Sequence, residues 1–523
     1  MKVPTILTKT LVAATLLGSS AEMRGGVRPL RLEEALRMAL EHDEAIVIQR
    51  ETLASSQAGV DGALGAYDPQ LSAEASWQEQ QPPANSTFSG APAGQLAPRD
   101  KSSAATLRIE QLLPTGGSVG VTAAGERAST DGRFEPLSPS YQTRLGLELR
   151  QPLLRHRATD AARTGKHAAA SVRAGAEADL QATLAATVAG VESSYWTLVA
   201  ARREISVREE AVRLAEEQLA ETQIRIETGA NPETEIAQPR AELERRQGEL
   251  YASREAAVRA ESALKRLILS DDEPELWTDR LAPEESLEVA SRPVDLAAAM
   301  GRALAERPEL DALKAELERR RVESALARDA VLPALDAVLS YDRYGLAGRA
   351  NPAAQPSGGS NRLHGGLSDS LDGLAAGDFS DARVGLLFSL PLGNRTARAE
   401  VARAASAERQ AAAVLARARK AIRAEVLDAA AALETAAQRI AATRSAREAA
   451  EVQLETERAR YGAGLSTNFL VLTRQNDLSR ARLDEIAAQT DYRRADTELA
   501  RVTGTLLADR GIDVSSNSIS ETR

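Results

Sequence analysis

The sequence predicts a mainly α-helical chain with a membrane β-barrel, built from a duplicated unit of helix, strands and long helical hairpin. Three observations predict it. The first is internal repetition: Leu32 to Trp77 match Leu296 to Tyr341 with no gap, through Leu32/Leu296, Ala35/Ala299, Ala39/Ala303, Leu40/Leu304, Leu53/Leu317, Pro69/Pro333, Leu71/Leu335 and Trp77/Tyr341. Further on, Leu145-Gly146-Leu147 and Gln151-Pro152-Leu153 answer Val384-Gly385-Leu386 and Leu390-Pro391-Leu392. The second is period-two alternation in short segments, and the third is a pair of very long proline-free helical tracts. Repetition on this scale means two copies of one structural unit.

The 523 residues contain only 3% aromatics, so few bulky anchors are available for a thick globular core. Thin helical layers need little else. A formal charge of -10 disfavours nucleic acid as a partner, because Lys and Arg occur only interleaved with Glu and Asp. No cysteine is present, which removes disulfides, thiol chemistry and lipidation of an N-terminal Cys.

At the start, Lys2 and Lys9 precede the apolar run Leu11 to Leu17 and the small residues Ser19-Ser20-Ala21. That order reads as a secretory signal over 1–21, too short to span a bilayer. The expected organisation is a first repeat over 22–290, with strands about 68–152 and a helical hairpin about 155–270. A second repeat covers 291–510, with strands about 333–391 and a hairpin about 394–508, and 511–523 form a disordered tail. No later apolar stretch is long enough for a transmembrane helix.

Six segments alternate. Leu71, Ala73, Ala75 and Trp77 interleave with Ser72, Glu74 and Ser76; Leu145, Leu147 and Leu149 with Arg144, Glu148 and Arg150; Leu335, Ala337, Leu339 and Tyr341 with Asp336, Ser340 and Asp342. Val384, Leu386, Phe388 and Leu390 make a fourth segment, while Ala105-Leu107-Ile109 and Val119-Val121-Ala123, joined by Pro114-Thr115-Gly116-Gly117, would add a hairpin. The pattern alone fits a half-buried soluble sheet and a lipid-facing barrel equally well. Two features favour the barrel. Pro/Gly/Ser-rich stretches, Gln80 to Ser103 and Gly345 to Asp381, follow the first strand of each repeat as extracellular loops would, and Trp77 and Tyr341 end those strands as an interfacial girdle would.

The helices repeat at seven-residue spacing. Leu184, Val191, Leu198, Ile205, Val212, Leu219 and Ile226 lie in one tract; Ile236, Leu243, Leu250, Ala257 and Leu264 in the next; Val426, Leu433, Ile440, Leu454 and Tyr461 in the second copy. A strict heptad supercoils neighbouring helices left-handedly. Each long helix stops at a glycine turn, Thr228-Gly229-Ala230-Asn231-Pro232 or Tyr461-Gly462-Ala463-Gly464-Leu465-Ser466-Thr467. Glycine supplies the left-handed cap, and Asn231-Pro232, Ser466 or Thr467 start the returning helix.

With Leu32-Glu33-Glu34-Ala35-Leu36 and its echo near Leu296, the Pro-Leu steps at Pro152 and Pro391, the Tyr461-to-Ser466 turn and the duplication in view, the whole mature chain resembles the TolC family of outer-membrane efflux proteins. The resemblance implies a homotrimer in outer-membrane lipid, with four strands per chain in a shared twelve-stranded barrel and a helical periplasmic tunnel closed at the hairpin tips. A periplasmic adaptor would dock on those tips, fed by an inner-membrane pump. The extra hairpin around Pro114 departs from the four-strand pattern.

Carried over by position, the adaptor-docking residues are Gly229, Ala230 and Asn231 at the first tip and Ala463, Gly464, Leu465 and Ser466 at the second. Ala230 stands where leucine is usual. The periplasmic gate would comprise Glu235, Tyr461, Leu470 and Thr473: Tyr461 matches the gating tyrosine, Ser466 replaces its arginine partner, and Leu470 and Thr473 replace aspartates. Glu235 reads equally as a solvated first-turn residue favoured by the helix dipole. No catalytic constellation is present. His42, His156, His167 and His364 lie in different elements, and the Gly-rich tracts lack the strand-to-helix context of a phosphate site. The expected function is a passive exit duct of a tripartite efflux or type I secretion system, without enzymatic activity or cofactor; the alternative is a secreted coiled-coil scaffold.

Overall fold

The computed structural model describes residues 26–83, 90–229, 232–272, 274–288, 292–354 and 361–512. The expected signal at 1–21 lies outside them, as does the expected tail apart from Gly511 and Ile512. Elements run β1 (Val27–Leu30), α1 (Leu32–His42), α2 (Glu44–Leu64), β2 (Gln70–Gln80), β3 (Asp100–Leu112), β4 (Ser118–Thr130), β5 (Leu137–Pro152), α3 (Ala161–Glu227), α4 (Ala237–Ile268), α5 (Pro274–Thr278) and β6 (Arg280–Pro283). The second half continues with α6 (Leu296–Glu306), α7 (Pro308–Asp329), β7 (Ala334–Ala350), α8 (Leu367–Ala376), β8 (Phe379–Ser389), α9 (Arg395–Gly462), α10 (Asn468–Thr503) and α11 (Leu506–Asp509). The duplication is explicit in this order: α1, α2, β2, β5, α3 and α4 correspond to α6, α7, β7, β8, α9 and α10.

Two compact units divide the chain, and each draws on both repeats. One takes residues up to Val47, Leu184–Arg302 and those from Glu425; the other takes Ile48–Thr183 and Ala303–Ala424.

The second of these units holds a six-stranded antiparallel sheet in the order β2-β3-β4-β5-β7-β8. Its register aligns the alternating residues into rows. One row runs Leu71, Ile109, Val121, Leu147, Tyr341 and Ala382; another runs Val119, Leu149, Leu339 and Val384. Leu71, Ile109, Val121, Leu147, Leu149's neighbour Leu339, and Val384 are among the exposed large apolar side chains, so the described residues leave most of this face of the sheet uncovered. The opposite face is charged and cross-linked. Arg144 Nε lies 2.8 Å from Asp342 Oδ1, Arg150 Nη2 lies 2.6 Å from Asp336 Oδ2, and Arg108 Nη2 lies 3.8 Å from Glu148 Oε2.

Three expectations need correction. The sheet holds six strands, not the four implied by resemblance, because the hairpin around Pro114 is paired on both sides, β3 to β2 and β4 to β5. The strands also extend into both expected loops: Asp100 to Ser103 belong to β3 and Gly345 to Ala350 to β7, so cross-strand hydrogen bonding outweighs their polar composition. Trp77 and Tyr341 accordingly lie inside their strands and do not end them. Parts of both loops, 84–89 and 355–360, lie outside the described residues. Within the second, α8 packs on the apolar side of β5 and β7, where Thr143 Oγ1 donates to Ser370 O at 3.2 Å. A Cβ on Gly345 would come within 1.8 Å of Ser370 O, so only glycine lets α8 approach this closely.

The other unit is held by heptad seams and by a small mixed core. Leu184, Val191 and Leu198 are fully buried, as are Val426 and, nearly, Leu433 on α9 and Ala257 and Leu264 on α4. β1 and β6 form a parallel pair, and Tyr195 Oη donates to Leu30 O at 2.9 Å beneath it. Leu30, Leu36, Val191, Trp196, Ile268 and Leu281 close this core. Glu192, fully buried on α3, accepts a hydrogen bond from Thr497 Oγ1 at 2.5 Å and from Arg510 Nη2 at 3.0 Å. Its carboxylate thereby fixes the end of α10 and the turn after α11; without Arg510 it would be a buried unpaired charge. No described helix is long and apolar enough to cross a membrane.

Candidate functional site: the hairpin tips

At the first tip α3 ends at Glu227. Thr228 Oγ1 returns to Ile224 O at 3.0 Å, and Gly229, at φ +75°, donates its N–H to Ile226 O at 3.0 Å. Ala230 and Asn231 lie outside the described residues. Pro232 opens a single 3-10 turn over Glu233–Ile236, which leads into α4. Glu235 sits in that turn, exposed, its N–H donating to Pro232 O at 3.1 Å.

The second tip closes α9 with paired hydrogen bonds. Leu465 N donates to Arg460 O at 2.9 Å and Gly464 N to Tyr461 O at 3.0 Å, with Gly464 at φ +74°. These are the six-to-one and five-to-two bonds of a Schellman cap, and they need the left-handed residue to be glycine. Thr467 then precedes α10 in extended conformation. The cap projects Leu465 outward at 73% exposure, flanked by Phe469 at 59%. Ala463 and Gly464 are also exposed.

Behind the second tip, Tyr461 is buried in a cluster with Ala450, Leu454, Val471 and Leu478. The Arg225 guanidinium, from the last turn of α3, stands 4.3 Å from the centre of the Tyr461 ring. Glu221, one turn earlier, holds that guanidinium at 2.8 Å. The contact joins α3 of the first hairpin to α9 of the second. A half-exposed cation over an aromatic face is worth about 0.5 to 2 kcal/mol. Sequence reasoning missed Arg225; the available signal was its place four residues before Gly229 and four after Glu221.

Ser466, an expected docking residue, and the expected gate residues Leu470 and Thr473 follow Tyr461 along the same tip. Ser466 turns back into its own hairpin and donates its hydroxyl to the buried Glu457. Leu470 is exposed at 38%, and Thr473 is half-buried with its hydroxyl on Phe469 O at 2.8 Å. Neither brings charge.

Further from the tips the hairpins are laced by Arg–carboxylate contacts. On α4, Arg246 Nε meets Glu242 Oε1 at 2.8 Å, and Arg245 Nη2 reaches Asn476 Oδ1 of α10 at 2.8 Å. Burial pushes the Glu242 carboxyl up, but hydrogen bonds and charge from Arg245 and Arg246 outweigh it and hold it below the usual glutamate value. On the second hairpin, Arg447 Nε binds Glu485 Oε2 at 2.6 Å and Arg439 Nη1 binds Asp491 Oδ2 at 2.7 Å. His156 pairs with Asp329 at 3.2 Å. Among the described residues no group of three or more His, Cys, Asp or Glu could hold a metal.

Residues 299–505 match the family model described as outer membrane efflux protein. No curated protein sequence matches the chain. By fold, the chain is similar to the CmeC outer membrane channel of Campylobacter jejuni, at TM-score 0.64 and 16% identity over 93% of this chain and 89% of that one. It is also similar to VceC of Vibrio cholerae (TM-score 0.61, 17% identity, 90% and 96% covered) and to the open MtrE channel of Neisseria gonorrhoeae (TM-score 0.60, 17% identity, 91% and 89% covered). The chain thus resembles the outer-membrane efflux proteins through its second repeat by sequence and through nearly its whole length by fold.

Proposed function

We propose that the chain is the outer-membrane exit duct of a tripartite efflux or type I secretion system, carrying substrates passively across the periplasm and outer membrane as a homotrimer. The carrying observation is the six-stranded sheet, apolar rows on one face and ion pairs on the other. A bilayer accepts only sheets whose backbone groups are all paired, so the free edges at β2 and β8 must meet further copies. The expected fractionation is into the outer membrane, as trimers that resist heat on gels. A soluble periplasmic monomer would remove the duct reading and leave a coiled-coil scaffold.

In this reading the tips face the pump side. Gly229, Ala230, Asn231, Ala463, Gly464, Leu465 and Ser466 form the adaptor's docking surface. The exposure of Leu465 beside Phe469 supports that role, since an apolar tip is a natural anchor for a partner's hairpin. Closure rests on Tyr461 with Arg225, which ties one hairpin to the other; Glu235 supplies charge at the entrance, and Leu470 and Thr473 line it without charge. The duct needs no cofactor, and no catalytic role falls to any of these residues.

A further inference from the structure

The first repeat places two more strands between its outer strands than the second does, and their side chains continue the lipid-facing rows. β7 pairs directly with β8, whereas β3 and β4 stand between β2 and β5. The insertion preserves the register of the whole sheet. Leu71 meets Ile109, Ile109 meets Val121, and Val121 meets Leu147, so the row that reaches Tyr341 on β7 crosses the inserted hairpin without a break. Ala73, Leu107, Ala123 and Leu145 make the parallel row next to it. On the other face Thr106 and Thr122 join the polar side, and Arg108 of β3 reaches Glu148 of β5 past β4. A hairpin folded out over the rim would have lost this alternation, and a hairpin plugging the lumen would carry apolar residues on neither face consistently.

We infer that the inserted hairpin β3–β4 is part of the barrel wall, so that three copies of this chain close an eighteen-stranded barrel. The inference rests on the trimeric outer-membrane reading above. β2 and β8 are the two edges that copies must share: β2 is exposed along its whole length and β8 at all but one position, and both are eleven residues long. Barrel diameter grows roughly linearly with strand number, so eighteen strands make a wall about 1.5 times as wide as twelve, with roughly twice the open cross-section. Eighteen lies within the range of water-filled outer-membrane barrels. The outer mouth is then a broad, ion-pair-lined opening that does not restrict cargo, which leaves selection to the tips and the partners they engage.

The chain lacks cysteine, so single cysteines can be labelled uniquely with bimane and read by quenching from brominated lipid. Leu147→Cys reports β5, Leu107→Cys and Ala123→Cys report the inserted hairpin, and Thr122→Cys reports the polar face. The full-length protein in lipid nanodiscs should show quenching at positions 107 and 123 equal within about twofold to that at 147, with little at 122, and electron cryo-microscopy of the same sample should count eighteen strands in three copies. Quenching at 147 but not at 107 or 123, with twelve strands, overturns the inference and leaves the duct reading intact. Quenching at none of them, or a copy number other than three, overturns the duct reading as well.

Discussion

The two repeats share their helices and differ in their strands and tips. Both carry a long helix, α3 of 67 residues and α9 of 68, and both turn on a glycine in the left-handed region. Between the outer strands, however, the first repeat carries β3 and β4, whereas the described residues of the second carry a loop with a short 3-10 turn at Asn361–Leu363 and α8. At the tips, the second has a full Schellman cap and an exposed Leu465, while the first carries the acid Glu235 and lends Arg225 to its neighbour's tyrosine. The parts that must pack side by side are kept alike by heptad geometry. The strands and tips, which are largely exposed in this chain, are free to diverge, because a hairpin added in register costs no paired backbone group.

The largest effect should separate the two faces of the sheet. Arg in place of Leu147, near the apolar midline, should destabilise the inserted protein by about 2 to 4 kcal/mol, whereas Arg in place of Glu148 should cost far less. Unfolding from lipid measures both, and equal costs would mean the apolar face does not meet a bilayer. Next comes the cap. Gly464→Val forces a β-branched residue to φ +74°, a strain of about 1 to 3 kcal/mol that the turn can relieve only by moving Leu465 and Ser466. Export should fail while trimers still reach the outer membrane; normal export at normal abundance would refute the docking surface.

The smallest effect concerns charge at the first tip. In the trimeric reading proposed above, three copies of Glu235 around the axis would make one ring of carboxylates, to which Leu470 and Thr473 add no charge, so block by a trivalent cation from the periplasmic side should be weak and should rest on Glu235. Glu235→Gln should remove most of the block in single-channel recordings, and Leu470→Asp should strengthen it. An unchanged block in Glu235→Gln would make Glu235 an ordinary first-turn residue.

Much of this was legible before any coordinates. Heptads give α3, α4 and α9 because two residues in seven must face the seam, and the buried Leu184, Val191 and Leu198 are one of those two series. The six alternating segments are the six strands, and the residues themselves outperformed the four-strand pattern implied by resemblance. What escaped notice was non-local. β1 pairs with β6 through Val27 and Arg280, four-residue strands too short to carry a periodic signal. Glu192 looks like any helix-surface carboxylate until Arg510 arrives from the other end of the chain. Arg225 gains its meaning only from Tyr461, a residue of the other repeat. The strand ends at Asp100–Ser103 and Gly345–Ala350 were misplaced because their polar and small residues resemble a loop in composition.

The central claim, a lipid-spanning pore closed at its tips by contact between the two hairpins, is tested most directly by current through the purified protein in planar bilayers. The wild type should give small, discrete current steps. Arg225→Ala removes the cation over the Tyr461 ring and should raise the conductance of each step severalfold, while Tyr461→Phe, which keeps the ring, should stay near wild type. Conductance unchanged in Arg225→Ala would contradict the latch, and the absence of any steps in all three proteins would contradict the pore itself.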